Sequence, residues 1–329
     1  MTVLLAILLA VAPMVIAPVV AWTAEMTAHE ATLYEAAKAE KELTWYVAQY
    51  SSEPAEQMAR AFTAKYPGIT VNTIRTTGQV AFTRLSQDLQ AGVDQCDVFS
   101  GTDIGHNVTL KQNGHTVRYI PENASKIPAA YQNADPDGHY HTTGVNLAIL
   151  IYNTKFVAED EAPKNWTDLA DLKWNSKVAL AHPGFSGTMG SWTVLMRKLY
   201  GWEFFTEMEK LDPLIGRSLN DPVSTLNSGE RWVGIGPLST AARSRAAGNP
   251  IGIVIPTDGA MLQPSASSIL AKSRHPNAAR LFMEFFYSIE LSELIVKSNY
   301  EPLRPEVAPP PARARSARSS TRRWSWTRS

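Results

Sequence analysis

The apolar and polar positions between residues 43 and 75 predict a β-α-β unit. Leu43–Ala48 is a short apolar and aromatic run, the length of a strand that is covered on both faces. Pro54 suits the first turn of a helix, and apolar positions follow it at helical spacing. Tyr66-Pro67-Gly68 ends that helix, and Ile69–Ile74 alternates like a second strand. The remaining chain repeats and extends this alternation of strands and helices.

Small polar loops follow three successive predicted strands. In open α/β sheets, the carboxyl ends of the strands form the edge where ligands bind. Each loop also opens a helix, whose free N–H groups and positive dipole end suit carboxylate, phosphate or sugar oxygens. Taken singly, each Ser or Thr is better explained as an N-cap, but three loops at one edge favour a ligand cleft. The candidate ligand-binding residues are Tyr50, Ser51 and Ser52 in the first loop, Thr77 and Gly78 in the second, and Ser100 and Thr102 in the third.

The second half of the chain contains the same strand-to-helix loops. Residues 119–139 are rich in Pro, Asn and Asp and predict an irregular surface segment, whereas Tyr140–Asn153 is a long apolar strand suited to connecting two lobes. The loops contribute the candidates Ser186, Gly187 and Thr188 after a strand at 178–181, and Ser239 and Thr240 after a strand at 231–236. The main-chain N–H groups of 187, 188 and 240 would hold a carboxylate or phosphate. Other predicted elements are helices at 28–42, 166–172, 221–229, 277–287 and 290–298 and strands at 97–100, 251–255 and 267–271.

The two ends of the chain differ from its body. Residues 1–21 carry no charge and fit a secretory signal that ends at Val19-x-Ala21, although so long an apolar run is also compatible with a membrane anchor. Residues 308–329 contain six Arg and no acid; removing these six leaves 25 basic against 31 acidic residues, a net charge of −6. We expect this tail to be disordered and assign it no nucleic-acid partner, with binding to nucleic acid or anionic lipid as the alternative. Its composition also resembles that of a shifted reading frame.

The sequence contains none of the common enzyme motifs and no pair of cysteines for an intrachain disulfide. The single Cys96 excludes an intrachain disulfide and is predicted to be a small buried hydrophobe. No G-x-S-x-G, Walker A or G-x-G-x-x-G motif is present, and no base pairs with the turn at 186–188. The histidines without metal-ligand spacing are His106, His115, His139, His141, His182 and His275. The tryptophans predicted to form second-lobe core are Trp166, Trp174, Trp192 and Trp202.

Four stretches in order, within residues 40–305, carry a family resemblance. They are LTWYVAQYSSEP, DVFSGTD, IYNTKFV with NWTDLADLKWNSKVALAHP, and IPTDGAMLQPSASSILAKSRHPNAARLFMEFFYS. They resemble the type II periplasmic solute-binding proteins of ABC importers, in particular the group that includes the ferric-ion-binding proteins. The resemblance implies an α/β fold of two lobes, each a mixed sheet flanked by helices, with the ligand in the cleft between them. It also implies a periplasmic monomer that delivers a solute to an inner-membrane permease, without catalysis or a cofactor.

On this resemblance we assign the lobes and expect them to close on the ligand by hinge bending. The first lobe comprises 22–118 and 256–290, and the second comprises 119–255 and 291–307. Crossovers are expected near 100–119, 140–153 and 255–270. An exported enzyme on the same fold, such as a transferase, is the alternative from another class of protein.

The resemblance also allows a test for iron. Ferric-ion-binding proteins typically supply paired tyrosines at the start of a second-lobe helix, whereas the matching segment here, Gly236–Thr240, has none. Tyr50 stands alone, either as a ligand-binding residue or as a half-buried lining residue. We therefore predict no metal site and expect a small organic or phosphorylated anion, with a ferric-ion-binding protein of unusual ligand set as the alternative. Asp103 and Asp221 would either accept a hydrogen bond from the ligand or cap a helix.

Overall fold

The computed structural model of the protein describes residues 26–311. The signal or anchor expected at 1–21 lies outside these residues, as does the Arg-rich tail from residue 312 onwards. Within the described part of the chain, none of the helices combines the length and the apolar character that crossing a bilayer would require.

The first half of the chain alternates helices and strands as the hydrophobic pattern predicts. The predicted boundaries agree with the observed ones to within about two residues, except that the first helix ends at Lys38 rather than at residue 42. Its elements are α1 (Ala28–Lys38), β1 (Glu42–Val47), α2 (Ser52–Lys65), β2 (Thr70–Arg75), α3 (Gly78–Gln90), β3 (Val98–Gly101) and α4 (Ile104–Gln112).

The second half begins with β4, which is the longest strand described and is buried along almost its whole length. After α5 (Gly187–Tyr200) come two elements that the pattern did not predict, α6 (Glu203–Glu209) and β6 (Leu214–Gly216). The elements are β4 (His141–Asn153), β5 (Val178–Ala181), α5 (Gly187–Tyr200), α6 (Glu203–Glu209), β6 (Leu214–Gly216), α7 (Asp221–Ser228), β7 (Val233–Pro237), α8 (Leu238–Ala246), β8 (Ile251–Val254), β9 (Met261–Ile269), α9 (Pro276–Phe286) and α10 (Ile289–Lys297). Short 3-10 turns at 166–170 and 172–174 replace the predicted helix at 166–172.

One sheet runs through both halves, in the order β2-β1-β3-β9-β4-β7-β5-β6, with β8 also paired to β4. The strands β2, β1 and β3 form one parallel set, and β7, β5 and β6 form another. Between the two sets, β4 and β9 pair antiparallel over most of their lengths. These two long strands are the crossovers between the halves.

The strand β9 starts earlier than the sequence pattern indicated. The pattern placed a strand only at 267–271, after a turn at 256–259. In the structure, residues 261–265 pair with β4 alone, and pairing with β3 begins only at Ala266. Proline is tolerated here because a strand with one open side needs no N–H donor on that side.

Two groups of buried side chains lie on opposite sides of the crossovers. The first core surrounds Trp45 and includes Phe62 and the buried face of α9, and the second surrounds Trp166 and Trp192. The closing segment belongs with the first core, since Leu291, Ile295, Tyr300 and Leu303 pack there. Its assignment to the second lobe by sequence is therefore not supported by its contacts.

Trp202 is an exception among the tryptophans expected in the second core. Trp166, Trp174 and Trp192 are buried there, but Trp202 is 59% exposed at the start of α6. The Arg197 guanidinium lies 4.8 Å from the Trp202 ring centroid, so a cation–π contact replaces burial. The prediction that Trp202 belongs to the core was wrong. Cys96 is buried, as predicted.

Phe282 on α9 provides a test of the first core, because it is fully buried between Trp45 and Phe62, with ring centroids 5.1 Å away in each case. Phe282→Ala should lower the free energy of unfolding by about 3–5 kcal/mol through lost burial and the cavity it leaves. The control is Leu172→Ala at a 72% exposed position, which should change it by less than about 0.5 kcal/mol. Urea denaturation followed by tryptophan fluorescence measures both, and equal effects would contradict this description of the core.

Candidate functional site

A cavity lies between the two cores, where the carboxyl ends of both parallel strand sets meet. Of the twelve candidates from the sequence, eight line it: Tyr50, Ser51, Thr77, Gly78, Thr102, Ser186, Thr188 and Ser239. The other lining residues are Ala48, Gln49, Arg75, Asn146, Phe185, Ser218, Leu219, Asn220, Pro237 and Tyr300. The predicted loops therefore come together at one cavity, which is also lined by several side chains that the sequence did not single out.

Four candidates lie elsewhere. Ser52 is exposed as the first residue of α2. Ser100 is fully buried, where its Oγ accepts a hydrogen bond from the Trp45 indole at 2.8 Å. The Thr240 hydroxyl donates to Asn220 Oδ1 at 2.7 Å. Gly187 packs against the backbone of Thr102 and Asp103 from the other half, so it forms part of the contact between halves rather than of the cavity lining.

Helix N-termini converge on the cavity from both sides. The N-cap residues Ser51, Thr77, Ser186, Asn220 and Pro237 all line it, and they open α2, α3, α5, α7 and α8 respectively. The Ser51 and Thr77 side chains make no capping hydrogen bond to their own helices. The cavity is therefore surrounded by free N–H groups and positive dipole ends.

Arg75 supplies the cationic side chain of the cavity. It is the last residue of β2, and its Nε donates to the Tyr50 carbonyl at 3.1 Å. Burial lowers the pKa of the guanidinium, while Tyr300 and Asp221 oppose that effect. No carboxylate among residues 26–311 forms an ion pair with Arg75, and no acidic side chain lines the cavity in that part of the chain. Its position at the carboxyl end of a predicted strand was a signal that the sequence offered.

The Tyr50 side chain belongs to the first core rather than to the cavity. It is 2% exposed, and its hydroxyl donates to the Thr143 carbonyl at 2.9 Å. Its ring packs against Trp45 and Tyr300, with centroids 6.3 and 5.0 Å away. Burial raises the pKa of Tyr50, which keeps the phenol neutral. Of the two alternatives for Tyr50, the half-buried lining residue is wrong, because the ring is almost fully buried.

Asp103 takes the capping alternative, whereas Asp221, the first residue of α7, bonds to the loop before its helix. Asp103 accepts from the Gly105 N–H at 2.9 Å at the start of α4. Asp221 Oδ2 accepts from the N–H groups of Arg217 and Ser218, each at 2.8 Å, which fixes the loop before α7. Neither residue lines the cavity.

Arg243 on α8 connects the two lobes beside the cavity. Its Nη2 donates to Ser51 Oγ at 2.7 Å, and its Nη1 donates to the Ser298 carbonyl at 3.2 Å. The Tyr300 hydroxyl accepts from the Ser51 N–H at 3.1 Å. A side chain of the second lobe therefore connects the first loop to the end of α10.

Two buried polar atoms of residues that line the cavity have no hydrogen-bond partner among residues 26–311. They are Thr77 Oγ1 and Gln49 Oε1. Buried polar atoms are normally hydrogen-bonded, so a bound molecule is a natural partner for Thr77 Oγ1, whereas the Gln49 oxygen calls for another orientation of its amide. Among the described residues, no group of three or more His, Cys, Asp or Glu side chains is placed to hold a metal ion.

Comparisons with known sequences agree with this architecture. A family model described as bacterial extracellular solute-binding protein matches residues 97–325. An uncharacterized protein of Haemophilus influenzae is 27% identical over 252 residues, which are 74% of this chain and 72% of that protein. A probable ABC transporter periplasmic-binding protein of Sinorhizobium fredii, y4fP, is 24% identical over 269 residues, which are 78% of this chain and 74% of that protein.

Solved structures share the two-lobe fold. The periplasmic binding protein AfuA of Actinobacillus pleuropneumoniae, with exogenous fructose-6-phosphate bound, matches with a TM-score of 0.74 and 22% identity, covering 82% of this chain and 88% of AfuA. Iron-bound HitA of Pseudomonas aeruginosa matches with a TM-score of 0.69 and 20% identity, covering 82% of this chain and 89% of HitA. The predicted two-lobe α/β fold is thus confirmed.

Gly187 provides a test of the contact between the halves. A Cβ there would lie 2.4 Å from the Asp103 backbone nitrogen and 2.6 Å from the Thr102 carbonyl carbon. Gly187→Ala should leave the free energy of unfolding nearly unchanged but open the cleft, which small-angle X-ray scattering would detect as a larger radius of gyration. The control is Gly190→Ala on the same helix, where the nearest atom outside the helix is 3.4 Å away. Indistinguishable scattering from both variants would contradict the role of Gly187.

Proposed function

This chain belongs to the bacterial extracellular solute-binding proteins, the substrate-binding components of ABC transporters, and we propose that its solute is a small organic or phosphorylated anion. The observation that carries the proposal is Arg75, a cation that lines the cavity and has no ion-pair partner among the described residues. Helix N-termini surround this cavity, and none of the described acidic residues lines it. In this proposal, the protein acts in the periplasm as a monomer and delivers the anion to an inner-membrane permease.

Burial explains why the ligand should carry negative charge. A desolvated guanidinium costs free energy unless an anion or several hydrogen bonds compensate it. Within the described part of the chain, Arg75 makes one hydrogen bond, which its Nε donates to the Tyr50 carbonyl. A carboxylate or phosphate would supply both the charge and the acceptor oxygens. The amides and hydroxyls of Asn146, Ser218 and Asn220 would contact the uncharged part of the ligand.

Two other functions receive less support. An enzyme would need a general base near a hydroxyl, but the lining residues among 26–311 include no His, Asp or Glu. An iron site would need oxygen ligands that ionise readily, but the Tyr50 phenol is buried and hydrogen-bonded in the first core. AfuA, with its bound fructose-6-phosphate, makes a sugar phosphate a reasonable member of the proposed ligand class.

A thermal-shift screen of residues 22–307 tests the proposal. The probes are organic acids, fructose 6-phosphate, inorganic phosphate, polyamines and ferric citrate. A carboxylate or phosphate probe at 100 times its dissociation constant should stabilise the folded protein by about 2.7 kcal/mol. Stabilisation by polyamines alone, or a coloured complex with ferric citrate as the only response, would contradict an organic or phosphorylated anion as the solute.

Arg75→Gln tests the charge that carries the proposal. Losing a charge-assisted hydrogen bond should weaken binding of the anionic probe by about 10- to 100-fold. At the same probe concentration, a 100-fold loss would reduce the stabilisation to about 0.4 kcal/mol. The control is Arg60→Gln on the exposed side of α2, which removes the same charge far from the cavity lining and should leave binding unchanged. Equal affinities in the two variants would exclude Arg75 as the anion-binding group.

A further inference from the structure

A chain of hydrogen bonds runs from the first core through the sheet to the cavity. The Trp45 indole Nε1 lies 2.8 Å from Ser100 Oγ, which lies 2.5 Å from Ser267 Oγ. Ser267 Oγ lies 2.5 Å from Thr143 Oγ1, which lies 3.1 Å from the side-chain amide of Gln49. All five residues are buried, and Gln49 alone of the five lines the cavity.

The indole sets the direction of the whole chain, because an indole N–H can only donate. Ser100 Oγ therefore accepts from Trp45, and its own proton goes to its one remaining partner, Ser267. Ser267 then donates to Thr143, and Thr143 donates to Gln49. The opposite direction would leave the proton of the buried Ser100 hydroxyl without an acceptor in the described part of the chain, and an unsatisfied buried donor is destabilising.

This direction determines which end of the Gln49 amide faces Thr143. The oxygen and nitrogen ends of a carboxamide have nearly the same shape, so the hydrogen-bond network assigns them. With Nε2 beside Thr143, the buried Oε1 has no partner. A half-turn of the amide places Oε1 where it accepts from Thr143, gives up the hydrogen bond of the Gln49 side chain to Tyr50, and puts both Nε2 protons where the unpartnered Oε1 lay.

We infer that Gln49 is a ligand-binding residue whose side-chain NH2 group donates to an oxygen of the bound anion. Thr143, Ser267 and Ser100 are the positioning residues that hold it in that orientation. The inference rests on the proposed function for its ligand, and it sharpens the ligand class. With its oxygen taken by Thr143, Gln49 selects for acceptor atoms such as carboxylate and phosphate oxygens, and against ammonium groups of polyamines.

Neutron diffraction from crystals of the perdeuterated, ligand-free protein tests the orientation directly. Two deuterons on the Gln49 atom that faces the cavity, with one on Thr143 Oγ1 pointing at Gln49, are the expected result. Two deuterons on the Gln49 atom beside Thr143 would overturn the inference. This measurement needs no ligand, so it stands even if the proposed function fails.

Isothermal titration with fructose 6-phosphate and with inorganic phosphate tests the donor role. Gln49→Glu replaces the donor by a carboxylate and should weaken binding of whichever probe the wild type takes up by at least about 10- to 100-fold. The control is Gln87→Glu, which adds the same charge on the exposed face of α3 and should leave the affinity unchanged. Equal affinities in the two variants would overturn the role of Gln49.

Variants at Thr143 show whether its hydroxyl positions the Gln49 amide or whether its side chain only packs. Thr143→Val removes the donating hydroxyl at nearly constant volume and should weaken binding of the same probe, whereas Thr143→Ser keeps the hydroxyl and should restore it. Equal binding by the Val and Ser variants would overturn the positioning role. If the wild type binds neither probe, the proposed function fails for phosphate ligands, and the deuteron positions still decide the orientation of Gln49.

Discussion

The antiparallel pairing of β4 with β9 is the constraint on which the site depends. Strand β3 pairs with β9 at residues 266–269, next to the start of β4, whereas β7 pairs with β4 at 148–152, near its end. The two parallel strand sets are therefore offset along the crossovers and run in opposite directions. Their carboxyl ends consequently point at each other across the middle of β4, where Asn146 lines the cavity. Because helices follow those ends, helix N-termini face the cavity from both halves.

This arrangement gives a positive cavity before any charged side chain is placed. Backbone N–H groups at helix ends bind oxygen atoms of many kinds, so they favour an anion without selecting one. Selection must come from side chains of fixed orientation. Arg75 is fixed by its bond to the Tyr50 carbonyl, and Gln49 by Thr143. Both side chains are thus held by groups of the first core, so rigidity of that core bears directly on recognition.

The hydrophobic pattern was sufficient to place most strands and helices of the first half and the loops that form the cavity edge. It was not sufficient to identify which loop residues face the cavity, because alternation specifies a face of a strand but not its neighbours across the sheet. Ser100 was predicted at the ligand and instead bonds to Trp45, a pairing set by the parallel register of β1 and β3. Tyr300 lines the cavity although 249 residues separate it from its partner Ser51, and no local pattern carries that information.

The comparison of Tyr50 with Gln49 shows how adjacent residues take opposite roles. Both residues lie in the bend that follows β1. Tyr50 directs its ring into the first core, where the Thr143 carbonyl satisfies its hydroxyl, while Gln49 reaches the cavity lining. Thr143 contacts both residues, through its carbonyl and its hydroxyl respectively. Beside the charged Arg75, this loop therefore offers the proposed anion site a neutral, satisfied phenol and an oriented amide, and it presents no ionised oxygen to a ferric ion.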